Sequence, residues 1–296
     1  MKQWMRVLII LAIMNVMGII SISAQTETAE SLYQTGVVAY WRTDDSVAMT
    51  SFNRAIELNP EFAPAYAFRG ALHRALNNFP AADADFDRAI ELDPEYAVAY
   101  ALRSRLSYNL NRLDEAWADI ETARQLSPDE PLVYMSRGML YLLTDNVSKA
   151  IIDFTTAINL DDNFAPAYNN RGLAYEFLFD YAAAKADYTR AIEIDPSYVV
   201  PLINRGTVQN IIGEFAGAVE SFSLAITLRP NDDKLYINRA NAYIGLRDAQ
   251  NAIADLTSAI EIAPNNGEYY YRRSQLYEAL SVLDKRRASE LGFAVP

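Results

Sequence analysis

Alanine recurs every 34 residues through most of this chain, at Ala55, Ala89, Ala123, Ala157, Ala191, Ala225 and Ala259. A second series runs in step with it: Ala48, Ala82, Ala116, Ala150, Ala184, Ala218 and Ala252. Between each pair stands a bulky residue: Phe52, Phe86, Ile120, Phe154, Tyr188, Phe222 or Leu256. Proline follows at Pro60, Pro94, Pro128, Pro196, Pro230 and Pro264, and Asp162 holds the one remaining place. Seven units in register without an insertion restrict the chain to an architecture that stacks copies of one small element.

The units are 29–62, 63–96, 97–130, 131–164, 165–198, 199–232 and 233–266, and an incomplete eighth opens at Gly267. Positions within a unit are called places 1 to 34 below. Apolar or small residues recur at spacings of three and four, the helical period. In the fifth unit "APAYNNRGLAYEFLF" predicts a first helix, with Pro166 acceptable in its first turn. "YAAAKADYTRAIEI" predicts a second, stopped at Asp195-Pro196 because proline cannot continue a helix. A short polar turn near Asp180 makes the two antiparallel. Neither helix can bury its apolar face alone, so the units must stack into an elongated all-α solenoid.

The fifth unit carries Tyr168, Gly172, Tyr175, Ala184, Tyr188, Ala191 and Pro196 at places 4, 8, 11, 20, 24, 27 and 32. That pattern resembles the tetratricopeptide repeat. The likeness covers about residues 29 to 280. It implies a right-handed α-solenoid of helix-turn-helix units, closed by a C-terminal capping segment over 267–296. It also implies a protein or peptide partner, which it leaves unidentified because such folds serve many functions.

Small residues fill place 8: Gly36, Gly70, Ser104, Gly138, Gly172, Gly206, Ala240 and Ser274. A mid-helix glycine costs about 1 kcal/mol, so close approach of the partner helix, with its alanines at places 20 and 27, is expected there. Place 7 is arginine from Arg69 to Arg273, and place 23 is Asp85, Asp119, Asp153, Asp187 or Asp255, with Ser51 and Ser221 as exceptions. These predict Arg–Asp ties, either within a unit or from each aspartate to the next unit's arginine. Arg205, whose own unit offers Ser221, would then need Asp187. Such ties fix register more than they add stability. His73, at a place otherwise held by tyrosine, is expected to pack.

Place 6 reads Asn170, Asn204 and Asn238 in three successive units. With places 2, 9 and 13 it forms one stripe. In tetratricopeptide proteins the first helices line the concave groove, so the resemblance points this stripe into it. In glycosyltransferase-associated repeats a similar asparagine series grips the backbone of an extended peptide, a task suited to amides that both donate and accept. Asparagine can equally stand there as a polar surface residue. Along the stripe, units two and three carry Arg74 and Arg105, unit four carries Met135, Met139, Leu142 and Leu143, and units five to seven add Asn169, Phe177, Asn210, Ile211 and Asn241. An apolar patch between arginines and amides suits an extended or helical peptide. The lysine and asparagine set of the carboxylate clamp in chaperone-binding relatives is absent.

The first residues differ in kind. Lys2 and Arg6 precede an apolar run from Val7 to Ile20, and "SISAQ" follows. This is the order of a secretory signal peptide, with cleavage expected after Ala24 and a short linker at 25–28. The run is shorter than the roughly 20 residues that span a bilayer comfortably. Retention as an N-terminal membrane anchor is the other reading, and it offers the one expected membrane contact. Either way a bacterial-type exported chain is expected, periplasmic or extracellular.

The chain has no cysteine and one histidine, which leaves no thiolate or multi-histidine metal site, and no metal, cofactor or small-molecule substrate is expected. Its net charge of −12 opposes binding to nucleic acid. The recurrent Asp and Arg follow the period of 34, as packing residues should, and no nucleophile–base set forms. The expected function is a non-catalytic interaction scaffold that binds a partner's peptide in its groove. The alternative is an assembly subunit of an envelope, secretion or pilus-type complex that packs through convex or end surfaces.

Overall fold

The computed structural model describes residues 27–290, so the predicted signal peptide lies outside the described residues. All regular secondary structure among the described residues is α-helical. Helices α1 (Ala29–Trp41) and α2 (Asp45–Leu58) form the first unit, α3 (Ala63–Ala75) and α4 (Phe79–Leu92) the second, and α5 (Ala97–Asn109) and α6 (Leu113–Leu126) the third. The fourth and fifth are α7 (Pro131–Leu143) with α8 (Val147–Leu160), and α9 (Ala165–Phe177) with α10 (Tyr181–Ile194). The sixth and seventh are α11 (Val199–Ile211) with α12 (Phe215–Leu228), and α13 (Asp233–Gly245) with α14 (Ala249–Ile262). A longer α15 (Gly267–Glu290) ends the array. Every first helix in the seven units fills places 1–13 and every second helix places 17–30.

Local chemistry sets these limits. Asp44, Asp180, Asp232 and Asp248 cap helices by accepting backbone N–H bonds, and Pro64, Pro131 and Pro166 sit in first turns. Each turn between paired helices needs one left-handed residue at place 15. Only Gly213 meets that need without side-chain strain. Thr43, Asn77, Asn111, Asp145, Phe179 and Arg247 adopt it with φ between 56° and 61°.

The core repeats with the sequence. Place 24 lays its ring on the place 8 glycine: a β-carbon built at Gly138 would stand 2.7 Å from Cε1 of Phe154, and one at Gly172 would stand 2.7 Å from Cε1 of Tyr188. The close partner of these glycines is therefore the aromatic ring, more than the alanines at places 20 and 27. Those alanines are fully buried on either side of the ring.

Arginine and aspartate pair within units. Arg69 binds Asp85, Arg103 binds Asp119, Arg137 binds Asp153, Arg171 binds Asp187 and Arg239 binds Asp255, each through two nitrogens at 2.7–3.0 Å. In four of them the remaining nitrogen crosses back to place 25 of the preceding unit: Asn53, Asp87, Thr155 or Ser223. The arginine also lies over its unit's place 4 tyrosine, as Arg171 does over Tyr168. Arg205 does not reach Asp187, which is held by Arg171. It donates instead to Ser221 Oγ at 3.0 Å, and Ser221 donates on to Gln209. Burial, only partly offset by the charge of Glu220, pushes the Arg205 pKa down. Ser221→Asp is expected to supply the missing carboxylate and stabilise the chain by about 1 kcal/mol, the gain of a charged bond less the loss of the Gln209 contact. A urea midpoint that stays level or falls would contradict this.

The array coils more tightly than the expected elongated form. Trp41, at the end of α1, meets the ring of Phe164 edge-on at 6.0 Å. Arg42 makes a bidentate pair with Asp195 at 2.9 Å, and Arg229 donates to the Arg42 and Thr43 carbonyls at 2.9 and 3.3 Å. The first unit thus closes onto the loops that follow units four, five and six. The basic Arg229 side chain satisfies carbonyls at the C-terminus of α1, where positive charge is favoured. At the other end, α15 continues for 24 residues as one helix, where a complete unit would turn.

Candidate peptide-binding channel

The first helices of the units line the inner side of the coil. Place 6 marks the lining stripe. Phe68 packs edge-on against Tyr33 and Tyr40 of α1, at 5.6 and 6.0 Å. Phe68, Leu102 and Ser136 are buried, whereas Asn170, Asn204 and Asn238 remain partly accessible. At place 6 the stripe is thus buried in units two to four and reaches solvent in units five to seven.

The predicted site residues accordingly separate into groups. Met135 is fully buried and Met139 packs half-buried beside the same core. Asn169 is buried, and its Oδ1 accepts from Asn204 Nδ2 at 3.1 Å. Asn204 is therefore occupied in part by a tie to the preceding unit. Asn210 Nδ2 donates to the Asn238 carbonyl at 3.2 Å, and its Oδ1 is buried without a partner. Asn241 accepts from Arg272 at 2.9 Å. The side-chain amides of Asn170 and Asn238 make no hydrogen bond among the described residues. Phe177 is 60% exposed at the end of α9, and Ile211, at the same place in the next unit, is also exposed. Arg105 lies apart from this group, in unit three.

Sequence reasoning missed the internal ties of the stripe. The signal was available in one respect: asparagine at both places 5 and 6 of unit five leaves one amide free when the other is claimed by its neighbour. Tyr188 donates to Glu176 between the two helices of unit five, where burial raises the carboxyl pKa. His73 packs beside Asp85, and burial lowers its pKa. Among the described residues no group of three or more acidic or histidine side chains could hold a metal ion.

Three family models described as tetratricopeptide repeat match residues 69–131, 165–198 and 233–266. No curated protein matches the chain. Among solved structures, the APC/C hetero-tetramer Cut9–Hcn1 is similar at 17% identity and a TM-score of 0.60, over 78% of this chain and 48% of that one. The present chain thus spans about half the length of that relative. Pseudomonas aeruginosa pilF is similar at 15% identity and a TM-score of 0.57, over 72% of this chain and 97% of that one. YrrB, described as a TPR protein with an unusual peptide-binding site, is similar at 21% identity and a TM-score of 0.51, over 64% and 97%. At these identities the likeness is one of fold.

Proposed function

We propose that this tetratricopeptide-repeat protein is an exported, non-catalytic scaffold that holds an extended segment of a partner protein in the open channel of units five to seven. One observation carries the reading: Asn170 and Asn238 face this stretch with unspent amides, and Asn204 stands between them one unit from each. Neighbouring helices pack about 8–10 Å apart, and an extended strand rises about 3.3 Å per residue. Amides one unit apart therefore meet a peptide backbone at about every third residue. Each can accept from an N–H and donate to a carbonyl. Phe177 and Ile211 add apolar surface for the side chains between. The Arg–Asp ties hold the wall rigid, which lowers the ordering cost of binding.

Export rests on the N-terminal segment alone, and the interaction role on the fold. The test uses a displayed library of random peptides panned against the full chain. Asn170, Asn204 and Asn238 all changed to alanine are expected to lose the peptides that wild type enriches, by at least about tenfold in affinity if each amide contributes roughly 0.5 kcal/mol or more. The cost in stability should stay near 1 kcal/mol, because only Asn169 is left without its partner. Enrichment of the same peptides by the triple variant would refute the groove.

A further inference from the structure

In each of the seven complete units, places 4, 8 and 11 of the first helix are buried or half-buried, from Leu32, Gly36 and Ala39 to Tyr236, Ala240 and Tyr243. Only α15 departs from this. Tyr270 is 44% exposed, Tyr277 is 54% exposed, and Ser274 between them is open to solvent. Another side of α15 is seated on unit seven: Tyr269 is buried there and donates to Asp233 Oδ2 at 2.6 Å, and Leu276 packs against the same cluster. The helix runs straight on to Glu290, so the chain up to that point does not return as a second helix.

Arg273, at place 7, shows what is missing. Its Nη1 donates to Thr257 Oγ1 at 3.0 Å, and its guanidinium lies over the ring of Tyr270 at 5.7 Å. Arg69, Arg103, Arg171 and Arg239 make the same two contacts, with place 25 of the preceding unit and with their own place 4 tyrosine. In those four, Nε and Nη2 go to the aspartate at place 23 of the second helix. In Arg273 these two nitrogens make no hydrogen bond among the described residues. The guanidinium is held as in the complete ties, and it binds a carboxylate through two parallel bonds.

Place 8 adds a rule of size. Where it is glycine, place 24 is a ring: Phe52, Phe86, Phe154, Tyr188 or Phe222. Where it is Ser104 or Ala240, place 24 is Ile120 or Leu256. Contact distances explain the pairing. A β-carbon at Gly36, Gly138, Gly172 or Gly206 would stand 2.5–2.8 Å from a ring carbon. Ser274 carries a β-carbon, so the side chain that fits over it is a branched aliphatic one, since a ring would overpack the site.

We propose that the open side of α15 docks a helix of a partner protein, which takes the place of the missing second helix. The internal copies define its face: alanine, aspartate three residues on, isoleucine or leucine next, and alanine three beyond. The aspartate pairs with Arg273, and the aliphatic side chain sits on Ser274. A second copy of this chain fits less well, because α6 and α14, its second helices with that face, are already paired with Arg103 and Arg239. Places 4, 8 and 11 lie apart from the stripe of places 2, 6, 9 and 13, so this surface is independent of the channel.

The test is fluorescence polarisation of the full chain with a labelled peptide of the α14 sequence, Ala249–Ile262. The peptide is stapled on its outer face, because a helix of that length is marginal alone in water. Wild type is expected to bind it saturably. Asp255→Asn or Leu256→Phe in the peptide, and Arg273→Gln in the chain, should each weaken binding by at least about tenfold. Ser274→Gly should reverse the choice and prefer the Leu256→Phe peptide to the unchanged one. Arg273→Gln should leave Tm nearly unchanged, since α15 keeps its contacts with unit seven, so lost binding is not lost folding. Absence of saturable binding at millimolar peptide would overturn the proposal. Equal binding by Arg273→Gln would also overturn it, because the peptide would then sit elsewhere on the chain. An unchanged preference in Ser274→Gly would remove the contact assigned to that residue and the docking mode with it. Sedimentation of the chain alone checks the occupant: dimers that Arg273→Gln abolishes would make it a second copy and overturn the partner helix.

Discussion

Phe154→Ala is expected to destabilise the chain by about 4 kcal/mol. The ring is fully buried, lies on Gly138 and is flanked by Ala150 and Ala157, none of which can fill the space it leaves. A β-carbon at Gly138 would stand 2.7 and 2.8 Å from two of its ring carbons, closer than real contacts allow. Gly138→Ala alone should therefore also destabilise, by about 1–3 kcal/mol from overpacking. In the Phe154→Ala background the same change enters a cavity and should restore part of the loss. Urea unfolding of the four proteins gives the coupling directly. Additive effects would show that ring and glycine do not share the contact assigned to them.

Asp187→Ala is expected to cost about 3 kcal/mol, because it leaves the half-buried Arg171 with only Thr155 as a polar partner. The carboxylate itself is mostly buried, with 9% of its side chain accessible, and both its oxygens accept from Arg171. Arg171→Met together with Asp187→Ala should cost less than the single aspartate change, since no charge is stranded. Denaturation midpoints of the three variants decide the matter. A double variant weaker than Asp187→Ala would mean that the arginine stabilises by itself, through Tyr168 and Thr155.

Much of this fold is legible in the sequence because each unit solves the same local problem. The alanines at places 20 and 27, the ring at place 24 and the Arg–Asp pair all act within one helix pair, where spacing fixes geometry. Arg205 shows where that logic stops. A missing aspartate was expected to be replaced by the next nearest carboxylate, Asp187, but both oxygens of Asp187 are already engaged. A hydroxyl at the vacant place served instead.

The channel was less legible. Place 6 is the same place in every unit, yet it is buried in units two to four and reaches solvent in units five to seven. Phe68 owes part of its burial to Tyr33 and Tyr40 of α1, contacts between units that no single unit encodes. Trp41, Phe164, Arg42, Asp195 and Arg229 lie in different units and meet only when the coil brings them together. The burial of Met135 and the pairing of Asn169 with Asn204 follow from packing between units.

The closure has a further consequence for how this chain folds. In an open array each repeat touches only its neighbours, so stability adds along one dimension and ends can fray one at a time. The bond from Arg229 to Arg42 joins residues 187 apart. Closing a loop of that length costs only about 1.5 kcal/mol more entropy than closing one repeat, by the logarithmic law of loop closure. Once made, it couples the first repeat to the sixth. Removing the first repeat would then do more than shorten the array: it would loosen repeats far down the chain, and the array would melt as a ring whose breaks are felt on both sides.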